Sequence, residues 1–177
     1  MTLRDDLNAC TPRLRRYARA LTTGCPGGSA LADDLVHTAL MRALGARQLG
    51  PAGDLSVRLF ATVTQLFREA AGAGRQAQAA GSGRPALVAE PFAPTLARQS
   101  RLSAGLMSLA IEDREALLLV ALEGFDHADA ARILRISRGT LLGRLTRARQ
   151  TLDMHLKSQP RQPTPRTRTA PHLRLVT

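Results

Sequence analysis

Tryptophan is absent from this sequence, and aromatic residues make up only 3% of it. Tyr17, Phe60, Phe67, Phe92 and Phe125 are the whole set. A ligand held by ring stacking would find few rings here. Cysteine is nearly absent too. Cys10 and Cys25 are the only two, which makes no disulfide framework. No apolar run approaches the ~18 residues of a membrane span, so no membrane insertion is expected. The first turns carry Arg4, Asp5, Asp6, Arg13, Arg15, Arg16 and Arg19. They leave no room for the apolar stretch of a secretory signal. The expected compartment is the cytoplasm.

Arginine and aliphatic residues dominate what is present. The chain has 177 residues, 44% of them hydrophobic. That is too apolar for wholesale disorder, and it suits one ordinary domain or two small ones. The formal net charge is +11, and Lys157 is the only lysine among 25 basic residues. Such an excess suggests a polyanionic partner, nucleic acid first. The arginine bias also fits a GC-rich genome, so its placement matters more than its total. Six acids fall between Glu112 and Asp129. From Arg132 to Lys157 the only acid is Asp153. One end of this segment facing DNA would explain the split. So would acids placed at successive helix N-termini.

Apolar periodicity divides the chain. Over residues 1–73, Leu3, Leu7, Leu14, Tyr17, Ala18 and Leu21 follow a helical period, with Thr2 as cap. Pro12 would kink this helix or start a second one. A second helix is expected after Ser29, burying Leu31, Leu35, Val36, Ala39, Leu40 and Leu44. A third runs from the Asp54 cap to about Ala71. Residues 74–94 are rich in Gly, Ser, Ala and Pro and read as a flexible linker. Residues 95–157 resume the helical pattern: a helix around Thr95–Leu109, then Ile111–Leu122, then two more. Residues 158–177 hold four prolines and four arginines and read as a disordered basic tail. The expected fold is all-α, with two small helical domains on either side of the linker.

Asp126–Arg149 has helix-turn-helix grammar. Asp126 caps a short helix with small Ala130 and Ala131 at its centre. Arg135-Ile136-Ser137 turns the chain, and Ser137 caps the next helix. Leu141, Leu142 and Leu145 would face inward. Arg138, Thr140, Arg144, Arg147 and Gln150 would face out, towards phosphates and base edges.

At this point the sequence resembles a family. EDREALLLVALEGFDHADAARILRISRGTLLGRLTRARQTL (112–152) resembles region 4 of extracytoplasmic-function (ECF) sigma factors. LRRYARALT (14–22) and ADDLVHTALMRAL (32–44) resemble sigma region 2, and LFATVTQLFREA (59–70) resembles its last helix. The resemblance implies an alternative sigma factor that lends promoter specificity to core RNA polymerase. Its implied partners are core polymerase, promoter DNA and an anti-sigma factor. Asp33, Asp34 and Arg42 would contact polymerase. Arg58, Gln65 and Arg68 would act on the −10 element. Arg138, Thr140, Arg144 and Arg147 would contact −35 DNA. A sigma-like mimic that binds an anti-sigma factor is the first alternative, and another helix-turn-helix regulator the second.

The chain departs from the family pattern at several positions. His37 and Thr38 stand where Gln and an acid usually follow the Asp-Leu-Val triplet. Arg58 replaces a common Trp, and Gln65 replaces an Asn. Arg135 occupies the usual Gly of the turn, a strained choice if φ is positive there. Cys10, Cys25 and His37 lack metal-site spacing. Asp33 and Asp34 point about 100° apart and would not share a proton. No catalytic residue, cofactor or metal is expected.

Overall fold

In a computed structural model, residues 3–25, 27–45, 52–79 and 94–158 are described. The expected Thr2 cap and residues 159–177 of the expected tail lie outside them, as do residues 80–93 of the expected linker. The described residues form seven α-helices and one π-helical turn, with no strand among them.

Helix α1 spans Leu3–Leu21 and passes through Pro12 as one element. The Thr11 hydroxyl donates to the Leu7 carbonyl at 2.7 Å, one turn before the proline that lacks a donor. Helix α2, Gly28–Gly45, starts one residue before the expected Ser29 cap. Gly28 is required there. A Cβ would lie 2.6 Å from the Thr22 carbonyl oxygen, and the Thr22 hydroxyl donates to the Gly28 carbonyl at 2.7 Å. Ala32, Leu35, Val36 and Ala39 form the buried face of α2. Leu44 does not join them; it is 51% exposed. It lies about 140° round the helix from Ala39, off the core face.

Helix α3, Ala52–Ala79, is longer at both ends than expected. Asp54 sits inside it, and residues 74–79 of the expected linker are helical. Ala, Gln and Arg favour helix there over coil. Helix α4, Pro94–Met107, opens on a proline, whose missing N–H costs nothing at a helix start. Helix α5 covers Ile111–Leu117, and a π-helical turn follows over Leu118–Leu122. Helix α6 is His127–Leu134, and α7 is Arg138–Ser158.

The two halves share one core. Leu14, Tyr17, Phe60 and Phe67 from the first half run without a break into Leu119, Ala130, Leu134, Leu141 and Leu145 from the second. Helix α6 lies against α3, and the π turn lies against α1. Phe125 meets Phe60 edge-on, with centroids 4.9 Å apart. Met107 rests on the turn after α1. A Cβ on Gly24, whose φ is +82°, would come within 2.6 Å of its methyl.

Candidate nucleic-acid interface

The turn between α6 and α7 is set by backbone bonding. Asp126 accepts from the Asp129 N–H at 2.7 Å and caps α6. Arg135 ends it in the left-handed conformation, φ 56° and ψ 46°. Its N–H bonds to Arg132 O at 3.2 Å, and the Ile136 N–H to Ala131 O at 3.1 Å. This is the paired closure that glycine usually serves, held here by an L-residue in strained geometry. Ser137 then caps α7 through the Thr140 N–H at 3.1 Å. Ala130 and Ala131 are buried, and their small size lets α7 cross closely. The expected helix-turn-helix is therefore formed.

The faces of α7 differ from the sequence reading. Leu141, Leu145 and Ala148 are buried, but Leu142 is 49% exposed. It sits about 100° round from Leu141, and Leu145 returns to the buried side about one turn after Leu141. Arg138 and Thr140 are exposed as expected. Thr140 also shares a hydroxyl hydrogen bond with Ser137 at 2.9 Å. Arg144 is half-buried, with Nη1 fully enclosed and unpaired. It therefore does not face outward. Arg147 grips Asp113 with both arms of its fork, Nε to Oδ2 at 3.2 Å and Nη2 to Oδ1 at 3.0 Å. The open face of α7 carries Gly139, Leu142, Gly143, Thr146, Arg149 and Gln150, and Arg147 beside them is exposed as expected, its side chain 64% open. The sequence reading missed Thr146 and Arg149, which only a fixed helix phase could identify.

In the first half, the expected sites do not form one face. Asp33 and Arg42 lie nine residues apart on α2, about 180° round the helix. Asp33 turns towards α1, with Arg19 at 3.8 Å, and Asp34 is exposed beside it. Arg42 faces α3 instead. It lines a cavity of about 160 Å³ with Leu55, Arg58 and Thr62. An expected polymerase residue and an expected DNA residue thus share one recess. Gln65 is exposed and donates to Glu69 at 3.0 Å. Arg68 reaches across to Glu115.

That last contact belongs to a set the sequence reading missed. The Arg68 Nε donates to both Glu115 oxygens, at 2.9 and 3.1 Å. Glu115 is fully buried. Burial pushes its carboxyl above the ordinary range, and Arg68 pulls it back down. The Glu123 side chain is also enclosed and accepts from Arg13 at 3.2 Å and Arg16 at 3.0 Å. Arg114 is buried without a carboxylate. It donates to the Leu21 and Thr23 carbonyls at 3.2 and 3.3 Å, capping α1, and burial lowers its pKa. The signal was present in part. An acid-rich stretch followed an arginine-rich first block, but helix N-terminal charge explained it just as well.

Among the described residues, no helix is long and apolar enough to cross a membrane. None of their His, Cys, Asp and Glu side chains cluster in the threes that could hold a metal ion.

Comparison with known proteins agrees with both halves. Residues 100–152 match the family described as Sigma-70, region 4. Residues 7–64 match the Sigma2 domain of PhyR. The ECF RNA polymerase sigma factor EcfG of Rhodopseudomonas palustris (strain TIE-1) is 36% identical over 155 residues. That alignment covers 86% of this chain and 83% of the relative. The sigma factor RpoE of Bartonella quintana, solved with the anti-sigma factor NepR, superposes with a TM-score of 0.66 at 25% identity. It covers 89% of this chain and 98% of that one. The PhyRSL–NepR complex from Sphingomonas sp. Fr1 shares the fold, with a TM-score of 0.63, 24% identity, and coverage of 97% and 100%. An all-α pair of sigma regions, a formed helix-turn-helix and a relative matched across both halves lead to one conclusion: the chain belongs to the ECF RNA polymerase sigma factors.

Proposed function

We propose that this protein binds core RNA polymerase in the cytoplasm and directs it to a set of promoters. It is a specificity subunit and performs no catalysis of its own. Residues 1–73 and 95–157 act as two recognition units, with the segment between them spanning the distance. The observation that carries this reading is the exposed face of α7 on a capped helix-turn-helix. A rigid helix with Arg and Thr outside and leucines inside is what major-groove entry requires. Arg138, Thr140, Thr146 and Arg149 are assigned to −35 DNA. Arg147 and Arg144 serve mainly to hold α7 on α5. The recess between Arg42 and Arg58, with Gln65 beside it on α3, is assigned to the opened −10 strand. With no Trp in the chain, polar and cationic groups hold that strand in place of ring stacking. Asp33 and Asp34 are assigned to polymerase. An anti-sigma factor is the expected regulator, in keeping with the NepR complex of the Bartonella relative. The basic 158–177 segment adds salt-sensitive affinity for DNA.

In vitro transcription on the protein's own upstream region tests this. Added protein should make core polymerase start at one defined position. A second reading has one specific observation behind it. The first half matches the sigma domain of PhyR, which the solved complexes describe as an anti-anti-sigma factor bound to NepR. A chain that binds a NepR-like protein yet yields no transcript with core polymerase would favour that mimic role.

A further inference from the structure

Beside the shared apolar core, the ion pairs between the two halves run in one direction. Their carboxylates come from the second half and their arginines from the first, while Arg114 of the second half bonds the Leu21 and Thr23 carbonyls. Glu123 takes Arg13 and Arg16 from α1. Glu115 takes the fork of Arg68 from α3. Arg13 also donates to the Glu123 carbonyl at 2.6 Å and lies over the rings of both Phe60 and Phe125, 5.7 and 5.3 Å from their centroids. Both carboxylates have side chains with 0% exposure. A carboxylate offers a guanidinium two oxygens in the same planar fork that a phosphate does. Arg68 is one of the three α3 residues that the family resemblance directs to the −10 element, and α6 covers the groove beside it. A cavity of about 80 Å³ there is walled by Thr64, Gln65 and Arg68 on one side and by Ile133 and Arg135 on the other.

We propose that these contacts are an intramolecular latch. In the free chain the second half folds onto the first, and Glu115 and Glu123 occupy Arg68, Arg13 and Arg16 in place of nucleic-acid phosphates. The closed chain is therefore self-inhibited for single-stranded DNA, while the outer face of α7 stays exposed. Opening frees a basic surface on α1 and α3. Arg13 and Arg16 then bind the backbone of the same strand that Arg68 meets. The inhibition rests on the reading of Arg68 as a DNA residue; the closure itself does not.

The test uses the full chain carrying Cys10→Ser and Cys25→Ser, with dyes placed by Met41→Cys and Met154→Cys. Both methionines are exposed. Energy transfer should be high at low salt and fall when Glu123→Arg is added. Adding Arg13→Glu and Arg16→Glu to that variant should restore it, which an unfolded chain would not do. A fluorescein-labelled single strand of 20 nucleotides provides the second readout. Glu115→Gln with Glu123→Gln should tighten its binding about tenfold, as expected when the competent state was populated at roughly a tenth. Asp6→Asn with Asp153→Asn makes the same charge change away from the contacts and should leave binding near the parent value. Transfer unchanged by Glu123→Arg overturns the latch. So does equal tightening by both pairs of substitutions. If transfer behaves as expected but neither chain binds core polymerase, the latch stands and the sigma-factor reading falls.

Discussion

Thr64→Val and Tyr17→Phe remove the two ends of one buried hydrogen bond, yet they should not cost the same. The Tyr17 hydroxyl and Thr64 Oγ1 are 2.8 Å apart. Thr64 donates its single proton to the Phe60 carbonyl, also at 2.8 Å. Tyr17 is therefore the donor of the pair. Tyr17→Phe takes away that donor and leaves Thr64 bonded to Phe60. The expected loss is about 1 kcal/mol. Thr64→Val keeps the shape but strands a fully buried phenol with no acceptor, at a cost of about 1–3 kcal/mol. The double variant replaces both groups with apolar ones and should lose no more than Tyr17→Phe alone. The cycle should thus show coupling of about 1–3 kcal/mol. Urea melts followed by helical circular dichroism measure all three differences. Thermal midpoints should follow at about 2–4 °C per kcal/mol for a chain of this size. Tyr17→Phe costing as much as Thr64→Val, or additive losses, would refute the donor assignment. The bond matters for function because it ties α1 to α3 one residue from Gln65.

Tyr17 is the only tyrosine, and burial pushes its phenol well above the usual value. Its raised folded pKa means stability is intact below about pH 10, the unfolded value, and declines above it. Tyrosinate absorbance at alkaline pH should therefore appear only with unfolding; a native-state titration near pH 10 would contradict the burial. Arg147→Gln should lower the thermal midpoint by leaving Asp113 unpaired, while the salt slope of promoter binding stays put. Arg149→Gln should do the reverse, reducing the slope by about 0.9. Gly143 has open space where a Cβ would go, so Gly143→Ala should stabilise the helix by about 0.5–1 kcal/mol in a denaturant melt. Gly24→Ala should destabilise, because φ is +82° and the Met107 methyl stands 2.6 Å from the new Cβ; an unchanged melt would mean that Met107 moves aside freely.

Local signals carried most of the fold. The Asp126 and Ser137 caps, the small alanines and the three-residue turn all stand where the sequence placed them, because each acts within one helical turn. Helix lengths were less legible. The extension of α3 through residues 74–79 rests on Ala, Gln and Arg, good helix formers that the Gly and Pro around them led composition to count as linker. The surfaces were harder still. Leu142 and Arg144 each changed sides on α7, since their positions depend on which stripe the neighbouring helices claim. Arg114, Glu115 and Glu123 could not be assigned at all from spacing. Their partners lie 47 to 110 residues away, and no periodicity records a pairing across that distance.

The π-helical turn at Leu118–Leu122 sets an angle as well as a path. Its wide closure, Glu123 N–H to Leu118 O at 3.0 Å, fits one residue more than an α-turn would. The same residues in α-helical phase would carry Glu123 about 100° further round. It would then point away from α1 with its chemistry unchanged. The wide turn is what lets this count of residues deliver Glu123 to α1, and the number of residues between Leu117 and Gly124 becomes a feature to follow when related chains are aligned.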